Sequence, residues 1–319
     1  MDKKQIVRFL LSHGEDQKLL FAAARQKRFE KFCLGVFIRG VVEVSNVCEN
    51  NCEYCDMRRG NLEMKRYIMK PSEIMLAAKR IKKAGLNILF LQSGENPQTI
   101  PVVLKVLPKV KKLGMETVLC LGDKPKKELL KLKAAGAGAY ILKHETCDYS
   151  LHNRLRHNSL AKRIKCIKIL KQIGFKVGGG NIIGLPGQTV ESIAADIALA
   201  KRLKVDFVSA SPFIPPEYSP LKNCPKGNGD LTLNTMAVMR LVLNLPVPTV
   251  SALDLVKENG QQKGFDAGAN VITVNFTPAK YRSKYALYSK KRPNKSLKEI
   301  KNIIKKLGLE IAKKSYFSV

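Results

Sequence analysis

From Arg39 to Phe276 the chain alternates short runs rich in Val, Ile and Leu with longer runs of helical period. The β-rich runs are Arg39–Asn46, Asn87–Gln92, Glu116–Leu121, Ala139–Glu145, Lys176–Ile183, Asp206–Phe213, Pro248–Leu253 and Asn270–Phe276. Helical patterns fill the gaps at Pro71–Ala84, Ile100–Leu113, Pro125–Ala135, Ser159–Ile173, Val190–Leu203, Leu231–Leu243 and Lys257–Ala267. Several helices close on glycine with a strand directly behind it, as in "KKAGLNILF", "KKLGMETVL" and "KQIGFKV". A glycine cap running straight into a strand marks an αβ connection. Strands joined through helices are parallel. Eight such strands predict an α/β fold of the (β/α)8 TIM-barrel type; an open doubly wound sheet is the alternative.

The remainder of the chain fits around that barrel. Residues 1–38 read as N-terminal capping helices, 39–291 as the barrel, and 292–319 as a C-terminal segment whose Ser296–Ala312 is lysine-rich and helical. No linker or low-complexity stretch divides the 319 residues, so one domain is expected. No apolar run reaches the roughly 18 residues that a membrane span needs, and the N-terminal apolar run is too short for a signal peptide. A cytoplasmic protein is expected. Eight cysteines in such a chain point to metal or redox chemistry rather than disulfides. The formal net charge is +31. It suits an acidic partner, but the lysines are spread over every helix, and no Trp or aromatic-interleaved Arg patch argues for nucleic acid.

Immediately after the first strand comes "VCENNCEYCD", in which Cys48, Cys52 and Cys55 are spaced C-x3-C-x2-C. Barrel enzymes work at the C-terminal ends of their strands, so the thiols lie at the right edge. Three thiolates can hold three irons of a [4Fe–4S] cubane and leave the fourth iron open. Zinc is the alternative, but a structural zinc site wants a fourth ligand, and none is near in the sequence.

The spacing, with Tyr54 before the last cysteine, resembles the signature of the radical S-adenosylmethionine (SAM) superfamily. "VVEVSNVCENNCEYCDMRRGN", "LQSGEN", "KHETCDYSLHNRL", "GFKVGGGNIIGLPGQT", "SPFIPPEYSPL" and "GFDAGANVITVNFTP" follow in order from about Gly40 to Lys291. They resemble the hydrogenase-maturase and methylornithine-synthase group beside biotin synthase. The longer stretch that ends with the last of them, "TVSALDLVKENGQQKGFDAGANVITVNFTP", resembles the biotin-synthase-associated C-terminal region. The resemblance implies a [4Fe–4S] cluster whose open iron chelates SAM. It also implies reductive cleavage to a 5′-deoxyadenosyl radical and hydrogen abstraction from a substrate.

The same resemblance suggests roles for other residues. Ser93 and Glu95 of "SGEN" would receive the SAM amino group, Glu145 would contact the methionine moiety, and Arg163 would pair with its carboxylate. Tyr54 belongs to the cluster motif. Ile182 and Ile183 would pack on adenine, beside the strand glycines Gly178, Gly179 and Gly180, which suggest close approach of a ligand. His144 should point away from its neighbour Glu145, into the barrel wall. Cys33 and Cys166 read as buried core thiols. Cys120, Cys147 and Cys224 could all face the barrel top and hold an auxiliary iron–sulfur cluster.

Two reactions follow. With an auxiliary cluster, sulfur insertion of the biotin or paired lipoyl synthase type leads, and an acidic lipoyl carrier protein would suit the charge. Without one, a maturase or mutase acting on a small amino-acid-like substrate is the alternative. Either needs an electron donor such as ferredoxin or flavodoxin. A non-enzymatic cluster scaffold or RNA-binding module would leave the SAM motifs without a role.

Overall fold

The computed structural model describes residues 1–288, 293–313 and 315. Its strands are β1 (Gly35–Ser45), β2 (Ile88–Ser93), β3 (Glu116–Cys120), β4 (Ala139–Ile141), β5 (Lys176–Ile183), β6 (Phe207–Pro212), β7 (Val271–Asn275) and β8 (Glu310–Ile311). The helices are α1 (Lys3–Leu10), α2 (Gly14–Phe32), α3 (Pro71–Lys83), α4 (Thr99–Lys112), α5 (Lys126–Ala134), α6 (Tyr149–Arg156), α7 (Leu160–Gln172), α8 (Val190–Arg202), α9 (Gly229–Leu243), α10 (Gly260–Asp266), α11 (Ala279–Arg282) and α12 (Leu297–Lys306). The strands pair in parallel, in the order β6-β5-β4-β3-β2-β1-β7, and curl into a partial barrel wrapped by helices.

The expected strand Pro248–Leu253 does not form. Pro248 makes one isolated bridge to Val271, and Ser251–Leu255 turns as a 3-10 helix. Pro246 and Pro248 have no N–H to give, so a full ladder cannot propagate through them. The segment still spans the gap between β6 and β7. Val208 N donates to Pro246 O at 3.1 Å, and Thr249 N donates to Val271 O at 2.9 Å. The tail departs from expectation as well. Helix α12 stops at Lys306, and Glu310–Ile311 adds to the start of β1 as a short parallel strand.

Period-two alternation sorts the strands into an inner and an outer face. Phe37, Ile88, Val118, Ala139, Phe207 and Val271 make an apolar floor inside the barrel. One step up the strands, Arg39, Cys120, Ser209 and Thr273 line a cavity instead. The outward positions, such as Ile38, Val42, Leu89, Leu119, Tyr140 and Val177, join the core under the helices. The glycines of β5 serve this packing rather than a ligand. A Cβ on Gly178 would lie 2.2 Å from the Phe207 ring, and one on Gly180 would lie 2.0 Å from Ser209 O.

The opposite end of the barrel is held by arginine. Buried Arg28 donates to Phe265 O (3.0 Å) and Ala269 O (3.3 Å), and buried Arg240 donates to Gly268 O (2.9 Å) and Asn270 Oδ1 (2.7 Å). These bonds reach carbonyls at and just beyond the end of α10, together with the Asn270 side chain, and tie α2 and α9 to the entry of β7. Burial, together with the charge of Arg28, lowers the Arg240 guanidinium to about 9. Cys33 caps α2 with a left-handed φ of 50° and is exposed, not the buried core thiol that its sequence context suggests. No helix among the described residues is long and apolar enough to cross a membrane.

Candidate functional site

A cavity of about 330 Å³ opens at the C-terminal ends of the strands and runs down toward the apolar floor. Cys48, Cys52 and Cys55 line its upper wall, with Tyr54, Ser93, Glu95, Cys120, Glu145, Arg163 and Ile182. Ten of the thirteen residues singled out in the sequence therefore meet in one place. The loop carrying the thiols is fixed by backbone bonds. Glu49 N donates to Glu95 O (2.8 Å), Glu53 N to Leu155 O (2.8 Å), and Arg59 N to Asn50 O (2.8 Å). The Arg66 guanidinium adds bonds to the carbonyls of Asn46, Met57, Arg58 and Asn61 at 2.7–3.0 Å.

Burial is the main reason the Cys52 and Cys55 thiols are pushed up, and the neighbouring thiols push the same way. Both are protonated near neutral pH, so taking up iron must displace protons. Among the described residues no three His, Cys, Asp or Glu side chains converge on a single ion's position. Three thiols on one short loop at the cavity mouth are the donor set that would hold three irons of a [4Fe–4S] cluster.

Below the thiols lies a charged network. Arg156 Nη2 donates to Glu95 Oε2 (3.0 Å) and Asp123 Oδ2 (3.3 Å), while Arg163 Nη1 pairs with Asp123 Oδ1 (3.1 Å). Glu95 also accepts from Asp123 N at 2.9 Å. Burial pushes the Glu95 carboxyl up, but Arg163 and Arg156 outweigh it and hold the group below the ordinary range. Gly122 makes room for this carboxylate. Its φ is +78°, and a Cβ there would stand 2.1 Å from Glu95 Oε2. Glu145 is likewise pushed up by burial and held down overall by Lys143, whose Nζ lies 3.0 Å away, and then by Arg163 and Arg156. Both carboxylates are thus ionised. Glu145 sits at φ +66°, bridged to Asn181, with Ile182 N donating to its carbonyl at 2.9 Å. A left-handed φ in a glutamate is uncommon, and here the neighbouring strand imposes it.

Three expected residues lie elsewhere. Ile183 faces outward into the core, fully buried, because Ile182 takes the inward position and adjacent strand residues oppose one another. Cys147 packs beneath α8, with its Sγ 3.5 Å from Ser192 O and its N–H donated to Asp196. Cys224 packs at the rim of an apolar cluster with Leu151, Leu155 and Leu221. Cys120 alone of the three faces the cavity, and burial raises its thiol to about 11. The structure does not gather an auxiliary ligand set. Cys166 is buried and His144 is turned into the wall, both as expected. The sequence reading missed Arg156 and Asp123, along with the polar residues lower in the cavity: Arg39, Gln92, Ser209, Ser211, Thr273 and Asn275. Asp123 follows a strand end in "LGDKP", the position where barrel enzymes place working groups. Helix α6, which carries Arg156, is an extra helix in the regular alternation and lies outside the expected helical runs.

A partial parallel barrel with three thiols at its mouth, and buried carboxylates and arginines set in an otherwise largely apolar chamber beside them, defines a class of enzyme. The chain belongs to the radical SAM superfamily, whose family profile matches residues 42–200. It is a radical SAM enzyme, and its cofactors are a [4Fe–4S] cluster and SAM. It is 40% identical over 256 residues to the [FeFe] hydrogenase maturase subunit HydE of Thermotoga maritima, covering 79% of this chain and 74% of the relative. It is 28% identical to 3-methylornithine synthase of Methanosarcina acetivorans, covering 98% and 91%. Biotin synthase of Yersinia pestis is more distant, at 27% over 72% of this chain and 68% of the relative. The crystal structure of methylornithine synthase (PylB) superposes with a TM-score of 0.86 at 25% identity, covering 98% of this chain and 94% of that one.

Proposed function

We propose that the enzyme acts on a small, amino-acid-like substrate in the manner of the maturase and methylornithine-synthase relatives, with no auxiliary cluster and no sulfur insertion. In this reading Cys48, Cys52 and Cys55 hold the cluster. Glu95 receives the ammonium of SAM, Glu145 lies against its methionine moiety, Arg163 faces its carboxylate, and Ile182 packs on the adenine. With an electron from a donor protein of the ferredoxin or flavodoxin type, the cluster and SAM supply a carbon radical that takes hydrogen from the substrate. The protein's part is to hold the reactants in register and keep water away.

The observation that carries the substrate class is Arg39. Its side chain is buried, and its Nε donates to Thr273 Oγ1 at 2.7 Å. The guanidinium lies 4.6 Å from the centre of the Phe90 ring. Among the described residues it has no carboxylate partner, yet it lines the chamber below the thiols. An uncompensated buried cation is costly, and a planar guanidinium is shaped to take a carboxylate. Gln92, Ser209, Ser211 and Asn275 give hydrogen-bonding partners around it. The scattered positions of Cys120, Cys147 and Cys224 add to the case against sulfur insertion.

The test is deuterium transfer. Reconstituted enzyme, SAM and reductant are incubated with perdeuterated α-amino acids or with biotin and lipoyl precursors, and the 5′-deoxyadenosine is weighed by mass spectrometry. Label arriving from an amino acid, and lost in Arg39→Met, supports the reading. Label arriving only from a biotin or lipoyl precursor overturns it.

A further inference from the structure

Arg156, the last residue of α6, is used by no step above. Its side chain is only 7% exposed, and its guanidinium serves two edges of the site at once. Nη1 lies 3.5 Å from Cys52 Sγ and 3.4 Å from the Tyr54 hydroxyl. Nη2 reaches Glu95 at 3.0 Å and Asp123 at 3.3 Å. The Arg156 carbonyl stands 3.9 Å from the same sulfur and accepts the S–H of the free thiol, a bond given up when the proton leaves, so the guanidinium is the group that stays with the thiolate. Of the three motif cysteines, Cys52 alone has a cationic donor on its sulfur among the described residues.

We propose that Arg156 is a positioning residue that couples the redox state of the cluster to the occupancy of the ligand pocket. The inference rests on the reading of Cys48, Cys52 and Cys55 as cluster thiolates. A positive charge and an N–H donor at a ligand sulfur favour the more negative, reduced cluster, because net charge and hydrogen bonds to sulfur set the potential. The other edge of the same guanidinium holds Glu95 in place for a ligand ammonium. When that ammonium arrives, it competes with Nη2 for the carboxylate. The arginine's charge is then less neutralised by Glu95 and acts more strongly on the sulfur. Ligand binding therefore raises the cluster's potential, and by linkage reduction tightens ligand binding. A lysine could supply the charge but could not reach both edges, because it lacks the planar fork.

The experiment is an EPR-monitored potential titration of the reconstituted holoenzyme, with and without SAM. It is run on wild type, Arg156→Met and Arg156→Lys, with iron content and melting temperature measured on the same samples. In Arg156→Met the midpoint should fall by at least a tenfold change in the one-electron equilibrium, 59 mV. SAM affinity, measured by equilibrium binding, should weaken tenfold or more. In Arg156→Lys the midpoint without SAM should stay near wild type, while the upward shift on adding SAM disappears. An Arg156→Met protein with full iron and the wild-type midpoint overturns the inference. Should that variant fail to take up iron, Arg156→Lys decides, and a retained SAM shift overturns it. Wild type that takes up no iron would instead strike the underlying reading of the three cysteines.

Discussion

Single side chains carry most of the chemistry, and their positions follow from strand parity more than from their identities. Ile182 and Ile183 are the same residue type in adjacent positions, yet one lines the cavity and the other is sealed in the core. The same parity puts Glu145 inside and His144 in the wall. Cysteine identity was the weaker guide. Cys147 and Cys224 suggested a second cluster in the sequence, but one packs under α8 and the other on an apolar cluster. Cys147→Ala and Cys224→Ala should therefore keep wild-type iron content and SAM cleavage, and loss of iron from either would revive the auxiliary cluster. Gly122 makes the opposite case, because its missing Cβ is the functional feature. Gly122→Ala meets both a φ of +78° and the Glu95 carboxylate at 2.1 Å. It should weaken SAM binding at least tenfold, at a stability cost of about 1–3 kcal/mol. Isothermal titration beside thermal melting separates the two effects, and unchanged binding would remove Glu95 from the ligand site.

Among the elements, the joint between the ends of β4 and β5 and helix α8 is built from buried polar groups. Asn181 Nδ2 donates to Asp196 Oδ2 at 3.0 Å, and His144 Nε2 stands 3.7 Å from Asp196 Oδ1. Burial drives His144 down to about 3 and Asp196 up to about 7, so the two do not form an ion pair near neutrality. The sign of the pH effect follows. A histidine whose folded pKa is depressed below the unfolded value of about 6.5 stabilises the fold above that pH, and the contribution drains away as pH falls toward 3. His152, lowered to about 4 chiefly by burial, acts in the same window. His144→Gln should melt below wild type at pH 7, and the gap should narrow steadily as the pH is lowered to 4. A constant gap would mean that His144 titrates alike in the folded and unfolded chains, so that burial does not depress it. Strand parity placed His144 in the wall, but its partners Asn181 and Asp196 could not be read in the sequence, because they come from other elements and meet it only through the sheet register.

Taken whole, the molecule was legible where local pattern and global fold agree. The βα alternation gave the barrel and seven of its strands, and the C-x3-C-x2-C spacing beside the first strand gave the mouth of the site. The stretch between β6 and β7 was read as a strand because "PVPTVSAL" has the right composition, but its two prolines leave only scattered bonds to β6 and β7. The charged chamber was half-read. Glu95, Glu145 and Arg163 came from resemblance, while Arg156 and Asp123 needed three-dimensional contact to be seen. The charge of +31 has an architectural component. The last turns of α3, α4, α5 and α8 carry Arg80, Lys82, Lys83, Lys109, Lys111, Lys112, Lys131, Lys133, Lys201 and Arg202. There they complement the helix macrodipoles, at the barrel end away from the thiols.

The central claim is one cluster, held by three cysteines, with no second cluster in the barrel. Iron and sulfide content with Mössbauer spectra, on anaerobically reconstituted wild type beside the Cys48→Ala/Cys52→Ala/Cys55→Ala protein, tests it most directly. The account predicts about four irons in wild type, one of them spectroscopically distinct and perturbed by SAM, and essentially none in the folded triple variant. About six to eight irons in wild type, with two to four surviving in the variant, would contradict it.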